Sequence, residues 1–159
     1  MQLMSTRRNM ILLLGGSSAV SMRAQTAKGR TAIHQEVDYK ASPARVYEAL
    51  LDPKQFSAFT KLPAKIERQA GGLFKLFDGH IEGRNIDLTP NKMIVQAWRE
   101  PSWRVGLYTI VKFVLTSRGS GTRVVFDQTG VPEEDWEHLN EGWPLQYWEP
   151  LRKFLDGGV

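Results

Sequence analysis

Residues Thr31 to Lys40 read Thr-Ala-Ile-His-Gln-Glu-Val-Asp-Tyr-Lys, placing Ile33, Gln35, Val37 and Tyr39 on one side. A period of two predicts a strand with one covered face. The period then changes. Ser42-Pro43 supplies a capping side chain followed by a proline at the first helical position, and Val46, Leu50 and Leu51 give the apolar face of a helix. Asp52-Pro53 ends that helix and begins a shorter one through Phe56 to Phe59, with helical spacing lost at Leu62-Pro63.

A meander is expected next. Gly71-Gly72 and Asp78-Gly79 are turn signals on either side of Leu73 to Phe77. His80 to Leu88 reads as a strand closed by Thr89-Pro90-Asn91, and Lys92 to Arg99 as another, with Ile94, Gln96 and Trp98 opposing Met93, Val95 and Ala97. Val105 to Leu115 alternates over a long run, and Thr122 to Gln128 follows the loop Ser117 to Gly121. Strands joined by short turns predict an antiparallel sheet. At the end, Trp136, Leu139, Trp143, Tyr147, Leu151 and Phe154 step by three and four, which is one helical stripe. Pro144 and Pro150 interrupt it, so two segments or a kinked helix are expected. A curved sheet cannot bury its concave face alone, and this helix is the element long enough to cover it. A pocket between the two is expected.

Composition narrows the function. The 159 residues, 42% hydrophobic and 24% charged, describe one ordinary folded domain. The formal charge of +4 falls to +2 without Arg7 and Arg8, and to +1 without Arg23 as well. The body is nearly neutral, which argues against a nucleic-acid partner. With no cysteine, disulfides, zinc–thiolate sites and a cysteine nucleophile are excluded.

The basic stretch lies in an apparent address. Arg7-Arg8, the apolar run Ile11 to Leu14 and the small residues up to Ser21 make up the three parts of a secretory leader, of twin-arginine type. Residues 1–27 are expected to be a cleaved export signal and residues 28–159 a single domain, periplasmic or otherwise extracytoplasmic. The domain would be cytoplasmic if the leader does not function. The apolar run is well short of the ~20 residues a spanning helix needs, so no stable membrane span is expected after cleavage.

Several segments carry a family resemblance. They are Ser42-Pro43-Ala44-Arg45-Val46-Tyr47-Glu48-Ala49-Leu50, Gly71-Gly72-Leu73-Phe74 with Phe77-Asp78-Gly79, Ile94 to Arg99, and Gly142-Trp143 with Tyr147-Trp148-Glu149-Pro150-Leu151. Together they resemble the START-like helix-grip superfamily, SRPBCC, in the branch named after the C-terminal domain of the heat shock protein 90 ATPase activator. The resemblance spans about residues 31–157. It implies an α+β fold: a curved antiparallel sheet of six to seven strands wrapped on a long C-terminal helix, with two short helices after the first strand. It says little about activity, because the superfamily includes carriers, receptors, cyclases and co-chaperones.

The candidate site residues follow from that fold. Phe77, Trp98, Tyr108, Trp143 and Tyr147 could line a cavity, or could simply be core packed strand against helix. Arg84 and Arg99 could meet an anionic head group, or pair with Glu82 or Glu100 instead. Asp78, His80 and Glu82 could form an acid–base cluster, yet Asp78-Gly79 is also a plain turn and no second histidine is near. His34 reads as a strand-face residue and His138 as a solvated helix residue. Neither a metal site nor a cofactor is expected. The expected function is non-catalytic binding of a small apolar or aromatic molecule, as a carrier or sensor. The alternatives are a chaperone-activating interaction domain, which an exported protein could not serve in the cytosol, and a cyclase- or hydrolase-like enzyme using the same cavity.

Overall fold

The computed structural model describes residues 29–157; the expected leader, with Arg7 and Arg8, lies outside the described residues. Strand β1 (Ala32–Tyr39) leads into helix α1 (Pro43–Leu51) and helix α2 (Pro53–Thr60). Both helix starts follow from their caps. The Ser42 hydroxyl accepts from Arg45 N, and Asp52 accepts from Lys54 N at 2.8 Å while its own N–H closes α1 on Glu48 O. One aspartate thus ends one helix and begins the next.

Six strands follow: β2 (Lys65–Ile66), β3 (Leu73–Leu76), β4 (Ile81–Thr89), β5 (Met93–Arg99), β6 (Thr109–Arg118) and β7 (Gly121–Thr129). They form one antiparallel sheet in the order β1-β7-β6-β5-β4-β3-β2, so the first and last strands are neighbours. The α+β helix-grip architecture is as expected. The short β2 lies where no strand pattern was visible.

Two features bend the sheet. A bulge shifts the β4–β5 register between Asn85 and Asp87. Gly83 lets β4 pass close to its neighbours, since a Cβ there would stand 2.0 Å from Ala97 O and 2.5 Å from the Phe74 ring. Residues alternate in and out, so Ile94, Val111, Phe113, Leu115, Val124 and Phe126 line the inner face and are buried.

The C-terminal helix crosses that face in three continuous pieces: α3 (Trp136–Trp143), a π turn (Pro144–Trp148) and α4 (Glu149–Leu155). The two prolines explain the middle piece. Neither has an amide hydrogen, and between them the turn widens so that Glu149 N–H bonds to Pro144 O, five residues back. Asn140 O, which an amide at position 144 would have met, accepts from Gln35 Nε2 of β1 at 2.9 Å. The wider turn also brings a further aromatic residue inward. Trp148 is buried beside Tyr147 and stacks on Trp143 with ring centroids 5.6 Å apart.

One expected strand is shorter than its pattern. Val105 is 98% exposed, and β6 begins only at Thr109. Gly106 takes φ +83 and turns the chain, so the alternation of Val105 and Leu107 belongs to a loop.

Candidate functional site

At one end of the sheet–helix interface a groove of about 620 Å³ stays open. Its walls come from three places: Leu62 after α2, the Phe77–Ile81 turn with Trp98 to Ser102 at the end of β5, and His138 to Tyr147 on the final helix. The rest of the interface is filled, with Phe126 and Trp143 centroids 4.1 Å apart and Trp143 and Tyr147 4.3 Å apart.

Phe77, Trp98, Trp143 and Tyr147 all border the groove, as expected. They are also core, each at most 8% exposed, and show the groove only an edge. These aromatics thus belong to the core and at the same time form part of the groove wall.

A buried polar chain fixes the position of Trp143. Its indole N–H donates to Gln128 Oε1 at 2.8 Å, Gln128 Nε2 donates to Thr109 Oγ1 at 3.0 Å, and the Thr109 hydroxyl donates to Trp98 O at 2.9 Å. Three elements, α3, β7 and β6, are thereby tied to the strand that carries Trp98. The indole N–H of Trp98 itself is buried without a hydrogen-bond partner. Burial pushes the Tyr147 phenol up; the nearby Trp98 N–H opposes that shift without reaching hydrogen-bonding geometry.

The groove wall stores backbone strain. Phe77 and Asp78 have φ of 52° and 54°, ahead of Gly79 at 86°. Left-handed conformations cost non-glycine residues roughly 1–2 kcal/mol each. The turn is held by Asp78 N–H donating to Pro63 O at 2.9 Å, which joins it to the loop carrying Leu62.

Tyr108, Arg84 and Arg99 do not border the groove. Tyr108 is 48% exposed beyond the Gly106 turn, and the Arg99 guanidinium lies 5.6 Å from its ring centroid. Arg99 pairs with Glu82 at 2.5 Å and donates to Trp103 O and Leu107 O, so it holds the β5–β6 loop. Arg84 donates to Gly71 O at 2.7 Å and lies exposed. Both arginines expected to meet an anionic head group are thus bonded within the fold, away from the groove.

The Asp78, His80 and Glu82 cluster also separates. Asp78 is a turn residue, Glu82 faces Arg99, and His80 alone borders the groove. His34 lies on a solvated face, its Nδ1 2.6 Å from Asp127 Oδ1, which raises its pKa.

Two polar residues had not been singled out for the site. Glu100 and His138 both border the groove, with Glu100 Oε1 3.7 Å from His138 Nε2. Burial pushes the Glu100 carboxyl up, and His138 opposes that shift. His138 is solvated, as expected, but sits at the groove mouth. No local spacing could have found this pair, because β5 and α3 meet only in the folded chain. Among the described residues no group of three or more histidine, cysteine or carboxylate side chains is placed to hold a metal ion. No helix among them is long and apolar enough to cross a membrane.

Comparison with known proteins agrees with this architecture. The human "Activator of 90 kDa heat shock protein ATPase homolog 1" is 30% identical over 121 residues, covering 76% of this chain and 36% of that protein. The Dictyostelium discoideum activator homolog is 34% identical over 107 residues, 67% of this chain and 28% of that one. The chain thus spans about a third of the length of these relatives. Among solved structures, an HSP90 activator from Plasmodium falciparum superposes with a TM-score of 0.75 at 20% identity, covering 79% of this chain and 96% of that one. The Aha1 dimer from Colwellia psychrerythraea gives 0.70 at 21% identity, covering 80% and 97%. Residues 40–156 match the family described as "Activator of Hsp90 ATPase homolog 1-like protein", and the chain belongs to that family.

Proposed function

We propose that the domain is a binding module that holds a small, largely apolar molecule in the groove between the sheet and the C-terminal helix. The observation that carries this reading is the groove itself. About 620 Å³ falls within the range of small-molecule sites, and the walls are mostly apolar with a few polar groups converging on them. Leu62 and Leu145 stand exposed at the mouth, where a ligand would cover them. Native mass spectrometry of the full chain purified from its own source tests the reading. A stoichiometric organic adduct, released on denaturation and lost in Leu145→Glu, is expected. Leu145 is 68% exposed, so that variant does not load the core. A clean protein mass and no uptake of added aromatic compounds would overturn the reading.

The family match favours a second reading, in which the same domain contacts a chaperone of the 90 kDa heat shock class. Stimulation of such a chaperone's ATPase by the full chain supports it, and an unchanged rate counts against it. The two readings differ in compartment. A carrier outside the cytosol would use the Arg7-Arg8 segment as its export leader, and Lys-Lys at those positions is then expected to stop export. Export that persists in the Lys-Lys variant removes this support.

A further inference from the structure

The polar groups around the groove are unequal in charge. Its lining contains Glu100, Glu141, His80, His138, Gln146 and Ser102, and no lysine or arginine. The two arginines on the neighbouring strands are engaged elsewhere, Arg99 with Glu82 and Arg84 with Gly71 O. From Val124 to Leu151 the chain has no basic residue apart from His138, while Glu133, Glu134, Asp135, Glu137 and Glu141 gather around α3.

Within this field Glu100 stands out by its surroundings. Its side chain is 22% exposed, and its ion-pair partner among the described residues is His138, itself 74% exposed and 3.7 Å away. Glu82, on the next strand, is more exposed at 33% and yet has Arg99. A half-buried carboxylate loses hydration, and a solvated imidazole 3.7 Å away recovers little of it. A positive group brought by a ligand would recover more.

We propose that the groove selects an amphipathic cation: a compact apolar or aromatic body seated among Leu139, Trp98 and Tyr147, carrying an ammonium group that donates to the Glu100 carboxylate. This rests on the groove being a binding site, and it adds the ligand's charge. Anionic amphiphiles such as fatty acids are disfavoured by the same carboxylates. The groups acting on Glu100 are His138 and Asp135 from the final helix and its approach, the Ser102 hydroxyl that bonds it, and His80 from the turn before β4, while Glu141 lies elsewhere on the groove lining. Acid protonates Glu100, which weakens the hold on a cation.

Calorimetric titration of the full chain at pH 8 with three probes of one shape tests the proposal. The probes are naphthalen-1-ylmethylammonium, naphthalen-1-ylmethanol and naphthalene-1-carboxylate. The ammonium is expected to bind at least about tenfold more tightly than the carboxylate, as one charge-assisted hydrogen bond would give, with the alcohol between them. Glu100→Gln should remove most of that preference and leave the alcohol unchanged, while Glu137→Gln, outside the groove lining, should keep it. The preference should also fall in the wild-type chain as pH is lowered from 8 to 5, which needs no variant. Binding of the alcohol with no preference for the ammonium overturns the charge proposal and leaves the groove standing. An undiminished preference in Glu100→Gln overturns the assignment to that residue. Failure of all three probes to bind overturns the groove reading and this proposal with it.

Discussion

Gln128 is fully buried in β7 and serves two partners, accepting from the Trp143 indole at 2.8 Å and donating to Thr109 Oγ1 at 3.0 Å. Gln128→Met keeps nearly the same volume and removes both bonds. The Thr109 hydroxyl still donates to Trp98 O, so its loss is small. The Trp143 N–H, at 2% residue exposure, is left without an acceptor, and an orphaned buried donor costs about 1–3 kcal/mol. Burying a thioether in place of a carboxamide returns part of that, giving a net loss of about 1–2 kcal/mol. For a domain of this size the melting temperature should fall by roughly 3–8 °C. The cause can be isolated with a double-mutant cycle in urea. Trp143→Phe removes the donor, so Gln128→Met made in that background should cost about 1–2 kcal/mol less than in the wild type. A single-variant loss below about 0.5 kcal/mol, or no coupling in the cycle, would refute the claim that this chain positions Trp143.

Other substitutions read separate parts of the account. Gly83→Ala would put a methyl group 2.0 Å from Ala97 O, a backbone atom that cannot rotate away, so a loss of about 3 kcal/mol or failure to fold is expected; near-wild-type stability in urea would contradict that packing. Asp52→Ala removes the cap accepting from Lys54 N at 2.8 Å and should lower stability by about 1 kcal/mol, measured by denaturation at pH 7, whereas Asp52→Asn should lose much less. Glu100 reports through pH. Its carboxyl is raised from the usual 4.5 by burial, so in the interval above that value the folded chain binds more protons than the unfolded one and stability declines as pH rises. Melting temperatures of wild type and Glu100→Gln should therefore differ least in acid, with the variant gaining on the wild type as pH rises past that range. A wild type that gains on the variant would show that burial does not dominate at Glu100.

Much of the fold is legible in the chain because local rules and tertiary packing agree there. Ser42-Pro43 and Asp52-Pro53 mark helix starts by the hydrogen bonds their side chains make. Ile94, Gln96 and Trp98 alternate inward because one sheet face is covered. Reading failed where a pattern had another cause. Val105 and Leu107 imitate strand alternation, but Gly106 turns the chain, which takes Tyr108 out of the interior. The prolines in the last helix signal an interruption without revealing that a π turn would bring Trp148 in beside Tyr147. Among the site residues, the aromatics were visible as a stripe, whereas the roles of the charged groups were not. Whether Arg99 faces a ligand or Glu82 depends on a loop folding over it. The approach of Glu100 to His138 depends on β5 meeting α3.

The central claim, that the groove is a ligand site, is tested most directly by the indole resonances of the five tryptophans during titration with naphthalen-1-ylmethanol. Trp98 and Trp143 border the groove, while the Trp136 indole is bonded to Ala32 O and does not. The account predicts saturable shifts of the Trp98 and Trp143 signals with the Trp136 signal unmoved. Signals that all stay fixed, or a response confined to Trp136, would contradict it.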